Sequence, residues 1–363
     1  MDPDEFAVSA IGRHFCISAM RYEESMILKT VQAGRAAAAI SVVIFHTEVV
    51  LRLEKYLGIA VFPFAEAMHF GVNFFFVLSG FIIATTHWGD LGKPRAIGKF
   101  LLRRFSRIFP PLWVALALSA SLSVALGKSH PTFVEWILAI TAFPIHVEEP
   151  LLAVEWTLRH EVLFYILYAV AIWRPLFGAI GMLIWVIVPF VFIFPDQKNT
   201  ISVVISPYNA LFLFGVLAAF LCRYKAMGRI GAIMTFVAGV ALFVFAWFGE
   251  LFLFGGTYAL GTLLYGIAST LILVGMVQAE RLAIMDAHHV LTWLGDASYS
   301  IYLVHFLAVS AAAKIFSPLA INKMVSAEIV FALVVIVSVA FGIVFYIIFE
   351  KYLIRWMKNQ IYP

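Results

Sequence analysis

Long apolar stretches alternate with short polar ones along most of the chain. Each stretch approaches the roughly 20 residues that an α-helix needs to cross a hydrocarbon core, and charged residues, Pro or Gly bound it. The pattern predicts an all-α fold, a polytopic membrane helix bundle with about ten spans. The predicted spans are 33–51, 70–88, 110–127, 160–175, 177–195, 206–222, 230–248, 257–278, 298–316 and 328–350. A shorter apolar piece at 133–145 is expected at the membrane interface.

The composition excludes a soluble enzyme. Of the 363 residues, 63% are hydrophobic and 13% charged, whereas soluble domains have about 45–50% apolar and about 25% charged residues. The mean hydropathy is +0.98. We expect one transmembrane domain over residues 31–356, between an N-terminal tail at 1–30 and a C-terminal tail at 357–363. Residues 1–30 lack the apolar run of a cleaved signal peptide.

The distribution of basic residues predicts the orientation. Most of the 25 Lys and Arg residues fall on one side of the predicted bundle, which we assign to the cytoplasm, together with both termini. Cys16 and Cys222 then lie on cytoplasmic segments, so neither a disulfide nor a cysteine metal site is expected. The net charge of +4 is small and dispersed, which argues against nucleic-acid binding.

The first predicted span carries two ionisable residues, Arg35 and His46. Ionisable groups cost roughly 2.5–3.5 kcal/mol at the centre of a span, so each is a candidate for function. Their separation of 11 residues is close to three helical turns, which places both on one face about 16 Å apart. An alternative is that Arg35 only marks the inner boundary and His46 hydrogen-bonds a neighbouring helix.

A basic cluster is expected in a cytoplasmic loop. Arg103, Arg104 and Arg107 come shortly before Pro110 and Pro111, which are expected to begin the next helix because a first turn tolerates proline. One guanidinium group can bind two phosphate oxygens at once, in bidentate fashion, so the cluster suits a phosphorylated cytosolic ligand. Anchoring against anionic lipid explains it equally well.

Glu161 is predicted at the outer start of the fourth span, in the same half of the membrane as His46. A carboxylate beside an imidazole orients the ring and raises its basicity, as in a general base that acts on a hydroxyl. The alternative is that Glu161 only pairs with Arg159 at the interface. A zinc-protease helix is excluded because no second His follows at the HExxH spacing.

Ser298, Tyr302 and His305 recur at helical spacing and form a polar stripe. The stripe either lines a ligand cavity or joins helices by hydrogen bonds. The sequence has no Walker A motif, no GxGxxG or GxSxG motif and no His/Cys set at metal spacing, so no metal is expected.

Together these motifs resemble the acyltransferase-3 family of bacterial membrane acyltransferases, over residues 32 to about 356. The resemblance is carried by Arg35-x10-His46, GVNFFFVLSGFII at 71–83, RRFSRIFPPLW at 103–113, the Trp156–Glu161 segment, GDASYSIYLVH at 295–305 and FEKYL at 349–353. The segment VQAGRAAAAISVVIFH at 31–46 also resembles the exopolysaccharide-production branch of this family. Two departures are Thr157, where Ser is frequent, and Tyr352, where Pro is frequent; the second leaves Glu350 with only a helix-end role.

The resemblance implies an O-acyltransferase of the bacterial cytoplasmic membrane. The donor would be cytosolic acyl-CoA, most often acetyl-CoA, and the acceptor a hydroxyl of a surface polysaccharide or its lipid-linked precursor. His46 matches the essential histidine of the family. It would either deprotonate the acceptor, assisted by Glu161, or carry the acyl group transiently.

The resemblance also implies binding roles for further residues. Arg104 and Arg107 match an Arg-x-x-Arg motif that would bind CoA phosphates beside Arg103, and Arg35 would neutralise the same anion. Asn73 and Ser79 are also assigned to the donor site, where Asn73 would hydrogen-bond the thioester oxygen, and the small residues Ser79 and Gly80 would allow close helix packing. The residues expected at the substrate are Trp156, Tyr165, Tyr302 and His305. A transporter and a scaffold of a polysaccharide-synthesis complex are the competing hypotheses.

Overall fold

The computed structural model describes residues 28–127, 131–191, 202–252 and 258–361. Within these ranges every regular element is a helix, as the apolar pattern predicts. The predicted tail at 1–30 lies almost wholly outside the described residues. The predicted tail at 357–363 lies partly outside them, and its described part continues the last helix.

The elements follow one another with short connections. The α-helices are α1 (Lys29–Leu51), α2 (Gly71–His87), α3 (Ile97–Ala125), α4 (Phe133–Thr141), α5 (Glu155–Trp173), α6 (Pro175–Val191), α7 (Asn209–Tyr224), α8 (Arg229–Phe252), α9 (Tyr258–Arg281), α10 (His289–Asp296), α11 (Ser298–Ile321), α12 (Ala327–Phe345) and α13 (Lys351–Ile361). A 3₁₀ helix at Pro63–Phe70 leads into α2, and a π-helical turn at Tyr346–Glu350 joins α12 to α13.

Seven helical segments among the described residues are long and apolar enough to cross a membrane. They are Lys29–Leu51, Pro63–Asp90, Pro94–Ala125, Arg229–Phe252, Ala259–Arg281, Ser298–Ile321 and Ala327–Met357. The protein is therefore a polytopic helical membrane protein. The described residues of the other three predicted spans also fall mainly on helices. Residues 192–195 of the predicted span 177–195 lie outside the described residues. Two of these helices, α6 and α7, are apolar but shorter, and α5 carries several charged residues. Ten crossings with both ends cytoplasmic stay a prediction.

The basic cluster lies on a helix, and the prediction of a loop there is wrong. Helix α3 starts at Ile97 and continues through Pro110 and Pro111. Prolines are tolerated inside membrane helices where neighbouring groups satisfy the freed carbonyls. The carbonyls freed by Pro110 and Pro111 are those of Ser106 and Arg107, and next to them the Tyr299 hydroxyl donates a hydrogen bond to the Ile108 carbonyl at 2.9 Å.

The short apolar piece forms helix α4, which a capping box between Thr132 and Glu135 begins. One apolar face of this helix points outward, with Phe133 79%, Val134 63% and Ile137 41% exposed. The Trp113 indole donates a hydrogen bond to the Ile140 carbonyl at 2.9 Å and ties α4 to α3. A short helix with an exposed apolar face suits the expected place at the membrane interface.

Helix α1 is central and packs against α2, α10, α11 and α12. Helices α2 and α7 approach closely because Gly80 and Gly215 face each other. A Cβ atom added to Gly80 would lie 2.1 Å from the Phe212 carbonyl oxygen, and one added to Gly215 would lie 1.9 Å from the Val77 carbonyl oxygen. The prediction that Gly80 permits close helix packing is confirmed.

We expect Gly80→Ala to destabilise the protein by about 1–3 kcal/mol, because the added methyl group meets backbone atoms that cannot move independently. Thermal unfolding of the purified protein in detergent measures the change. Gly98→Ala in α3 is the matched control, since a Cβ atom there meets no atom within 4 Å. Equal stability of the two variants would contradict the packing argument.

Candidate active site

Two adjacent cavities lie inside the bundle. The arginine cavity, lined by Arg35, Arg104 and Arg107 among others, has a volume of about 90 Å³. The histidine cavity, lined by His46 and His69 among others, has a volume of about 440 Å³. Val72 and Tyr302 line both cavities, so these two side chains form a shared wall. The interior face of α1 thus presents Arg35 to one cavity and His46 to the other.

Three guanidinium groups from two helices converge on the arginine cavity. Arg35 comes from α1 and is 9% exposed, while Arg104 and Arg107 lie one turn apart on α3. Arg104 hydrogen-bonds the Tyr165 hydroxyl, but its Nε has no hydrogen-bond partner among the described residues. An unpaired buried donor beside two further cations is suited to an anionic ligand.

Carboxylates balance these cations. The Glu161 carboxylate accepts hydrogen bonds from the Ser79 hydroxyl at 3.1 Å and from the Tyr165 hydroxyl, and it interacts electrostatically with Arg35 and Arg104. Without such partners, three guanidiniums in a low-dielectric interior would be prohibitively unfavourable.

Glu350 is a second counterion, and the prediction of only a helix-end role for it is wrong. It is 5% exposed and accepts a hydrogen bond from the Ser300 hydroxyl at 2.5 Å. It also interacts electrostatically with Arg35 and Arg107. The π-helical turn Tyr346–Glu350 places this carboxylate inside the bundle.

The structure does not place Glu161 beside His46, which corrects the predicted dyad. Helix α5 begins at Glu155 and not near residue 160, so Glu161 lies about 9 Å into the helix at 1.5 Å per residue. It lines the arginine cavity and is absent from the lining of the histidine cavity. A role for Glu161 in orienting the His46 ring is therefore not supported by the geometry.

The alternative pairing of Glu161 with Arg159 is also wrong. Arg159 forms a buried ion pair with Glu155, one turn earlier on α5. Its second Nη group donates hydrogen bonds to the carbonyls of Phe143 and Ile145, each at 2.8 Å. Arg159 thus secures the loop after α4 to the start of α5.

The hydrogen bonds of His46 determine which nitrogen is free. Its Nδ1 lies 3.0 Å from the Val42 carbonyl oxygen and 3.1 Å from Nε2 of His305. His305 Nδ1 lies 2.6 Å from the Tyr302 carbonyl oxygen. Because carbonyl oxygens only accept hydrogen bonds, both neutral rings carry their proton on Nδ1. The lone pair of His46 is therefore on Nε2, on a ring that lines the histidine cavity.

The other predicted substrate residues divide between the cavities. Tyr302 belongs to the shared wall, and its hydroxyl hydrogen-bonds Thr157 at 2.9 Å. Trp156 lines the histidine cavity and Tyr165 the arginine cavity. His305 is fully buried and lines neither cavity. The geometry therefore does not support the predicted contact of His305 with substrate. The His305 ring instead packs against the His46 ring.

Two of the residues predicted to bind the acyl donor lie outside the arginine cavity. Arg103 is exposed because it projects about 100° around α3 from Arg104. Asn73 is buried on the face of α2 that also carries Val77 and Gly80, and this face packs against α7. The structure therefore does not bring Arg103 or Asn73 to the arginine cavity, whereas Ser79 lines it.

Sequence reasoning missed a group of polar residues in the histidine cavity. Nε2 of His69 lies 2.6 Å from Glu250 Oε1, and the Tyr265 hydroxyl donates a hydrogen bond to Glu250 Oε2 at 2.7 Å. All three line the cavity. His69 and Glu250 stand one or two residues outside the predicted spans 70–88 and 230–248. The available signal was two ionisable residues at adjoining span ends.

Glu48 was also missed. It is fully buried on α1 and accepts hydrogen bonds from the backbone N–H groups of Val61 and Phe62 at 3.0 and 2.9 Å. It thereby fixes the loop that leads to the 3₁₀ helix of His69. Among the described residues, no group of three His, Cys, Asp or Glu side chains is placed to hold a metal ion.

Comparisons with known proteins identify the family of this chain. The family model described as "Acyltransferase domain" matches residues 29–347. The exopolysaccharide production protein ExoZ of Rhizobium meliloti (strain 1021) is 31% identical over 320 residues, which cover 78% of this chain and 89% of the relative. No solved structure matches significantly. The chain therefore belongs to the acyltransferase-3 family, as its motifs predict.

Proposed function

We propose that the protein is an O-acyltransferase of the bacterial cytoplasmic membrane. It moves an acyl group, most simply acetyl, from cytosolic acyl-CoA to a sugar hydroxyl of an exopolysaccharide, a surface polysaccharide or a lipid-linked precursor. The observation that carries the proposal is the pair of cavities that share the Tyr302 wall, one lined by arginines and the other by His46.

The arginine cavity is the proposed donor site. Arg104 and Arg107 bind phosphate oxygens of CoA, and Arg35 neutralises the same anion. The cavity of about 90 Å³ is too small for the whole donor. The nucleotide stays at the end of the bundle where α1 begins, its phosphate oxygens reach Arg104 and Arg107 from that side, and the thioester end extends to the Tyr302 wall. Glu161 and Tyr165 hold the Arg104 guanidinium in place, which makes Glu161 a positioning residue at the donor.

The histidine cavity is the proposed acceptor site. Its volume of about 440 Å³ lies within the range of small-molecule pockets. Aromatic rings of Phe45, Trp156, Tyr208 and Tyr265 line it and offer flat apolar faces to a sugar ring. The name of the Rhizobium relative, an exopolysaccharide production protein, supports an acceptor of this class.

His46 Nε2 carries the reaction in one of two ways. As a general base it accepts the acceptor hydroxyl proton while the sugar oxygen attacks the thioester. As a nucleophile it takes the acyl group first and passes it to the acceptor. In both routes the hydrogen bonds from Nδ1 to Val42 and His305 fix the ring and share the positive charge that develops.

We expect His46→Ala to lower acyl transfer by at least about 10²–10⁴-fold, because both routes need the Nε2 lone pair. The assay measures radiolabel passed from acetyl-CoA to glycan in membrane vesicles, with protein amounts checked by immunoblotting. His289→Ala is the control, since His289 is exposed on α10. Transfer retained by a normally inserted His46→Ala protein would indicate a scaffold instead of an enzyme.

We expect Arg104→Ala to raise the KM for acetyl-CoA about 10–100-fold with a smaller change in kcat. A charge-assisted hydrogen bond contributes about 1.5–3 kcal/mol to ligand binding. Steady-state kinetics in vesicles measure both constants. Arg103→Ala, an exposed neighbour outside the cavity, is the comparison and should raise KM less. The reverse order would place the donor on the other face of α3.

Mass spectrometry of surface glycans from cells with and without the protein identifies the product. We expect the loss of one acyl mass increment when the protein is absent. The size of that increment identifies the acyl group, and fragmentation of the glycan locates the sugar position. Unchanged glycan masses would contradict the proposed function.

A further inference from the structure

The group formed by His69, Glu250 and Tyr265 has no role in the proposed function as described so far. It nevertheless lines the same cavity as His46. The three residues come from the 3₁₀ helix Pro63–Phe70, α8 and α9, so the group exists only in the folded bundle. His69 and Glu250 keep side-chain exposures of 31% and 29%, which makes them accessible from the cavity.

The hydrogen bonds fix the protonation pattern of this group. Glu250 accepts from His69 Nε2 at 2.6 Å and from the Tyr265 hydroxyl at 2.7 Å. A carboxylate only accepts hydrogen bonds, so the His69 proton lies on Nε2 and the lone pair on Nδ1. An imidazole whose N–H faces a carboxylate, with the opposite nitrogen free, has the arrangement of a general base.

His46 alone does not suffice for a two-step transfer. Once its Nε2 is acylated, that lone pair is consumed, and its Nδ1–H faces Val42 and His305. A second base must then accept the proton of the acceptor hydroxyl. His69 is close enough to His46 for electrostatic interaction, and the Phe45 ring contacts both imidazoles.

We propose that His46 carries the acyl group while His69, held by Glu250, is the general base that deprotonates the acceptor hydroxyl. The inference rests on the proposed function. Glu250 is a positioning residue, because it acts through the His69 ring, and the Tyr265 hydroxyl positions Glu250 in turn.

The two steps balance as follows. His46 Nε2 attacks the thioester carbon, the C–S bond breaks, and CoA leaves as its thiolate. The acceptor oxygen then attacks the acyl carbon while its proton moves to His69 Nδ1. The bond from that carbon to His46 Nε2 breaks, and the electron pair returns to the ring. His69 releases its proton to solvent, which protonates the thiolate.

The experiment separates the two steps with radiolabelled acetyl-CoA. Purified full-length protein without acceptor reports thiol release and label bound to the protein, and membrane vesicles report transfer to glycan. We expect His69→Gln to release up to one thiol per protein and to retain label on His46, located by mass spectrometry. Its transfer to glycan should fall about 10²–10⁴-fold. His46→Ala should release no thiol and bind no label.

Two further variants complete the experiment: Glu250→Gln is a second test of the proposal, and His87→Gln is its control. Glu250→Gln preserves side-chain shape but removes the charge opposite His69, so we expect a smaller loss of transfer with the same retained label. This second variant also keeps the proposal testable if His69→Gln does not fold. His87 pairs with Asp90 at 2.8 Å and lines neither cavity. His87→Gln therefore controls for the loss of a histidine–carboxylate pair and should transfer label to glycan as the unaltered protein does.

Two results would overturn the inference. Near-normal transfer by His69→Gln would show that His46 needs no second base. Loss of both thiol release and transfer, without bound label, would reduce the group to a structural tie between the 3₁₀ helix and α8. If the unaltered protein neither releases thiol nor labels glycan, the proposed function itself fails, so the two failures are distinguishable.

Discussion

The cost of burying charge in a membrane bundle constrains the whole structure. Each ionisable group in the interior needs a partner, a ligand or access to a cavity. Arg35, Arg104 and Arg107 meet this requirement through Glu161, Glu350 and the arginine cavity. Arg159 meets it through Glu155 and two loop carbonyls. The polar interior is therefore divided into a few compensated groups.

In the proposed function, this division separates donor binding from transfer to the acceptor. Cations and their counterions collect in one cavity, where they suit a phosphorylated donor. Imidazoles collect in the neighbouring cavity, where each ring has a defined donor nitrogen and a defined lone pair. Tyr302 stands between them and hydrogen-bonds Thr157 of α5. The thioester must reach this wall if the two cavities serve one reaction.

Much of the architecture could be predicted because the length of each apolar stretch, and the few ionisable residues inside it, can be read directly from the sequence. Among the described residues, each of the ten predicted spans coincides with a helix, and Arg35 and His46 both face the interior. Errors arose where a helix start was misplaced. Moving the start of α5 to Glu155 shifts Glu161 from His46 to the arginines. Carrying α3 through two prolines puts the basic cluster on a helix, where Arg103 and Arg104 diverge.

The sequence by itself determined the helical membrane fold and the family, and it singled out His46, Arg104 and Arg107, which line the two cavities. These depend on local runs of residues, which hydropathy and spacing report directly. Tertiary structure alone decided which groups meet. His46 contacts His305 across 259 positions, and His69 contacts Glu250 across 181. Partners that far apart are chosen by how helices pack, and no local pattern encodes that choice.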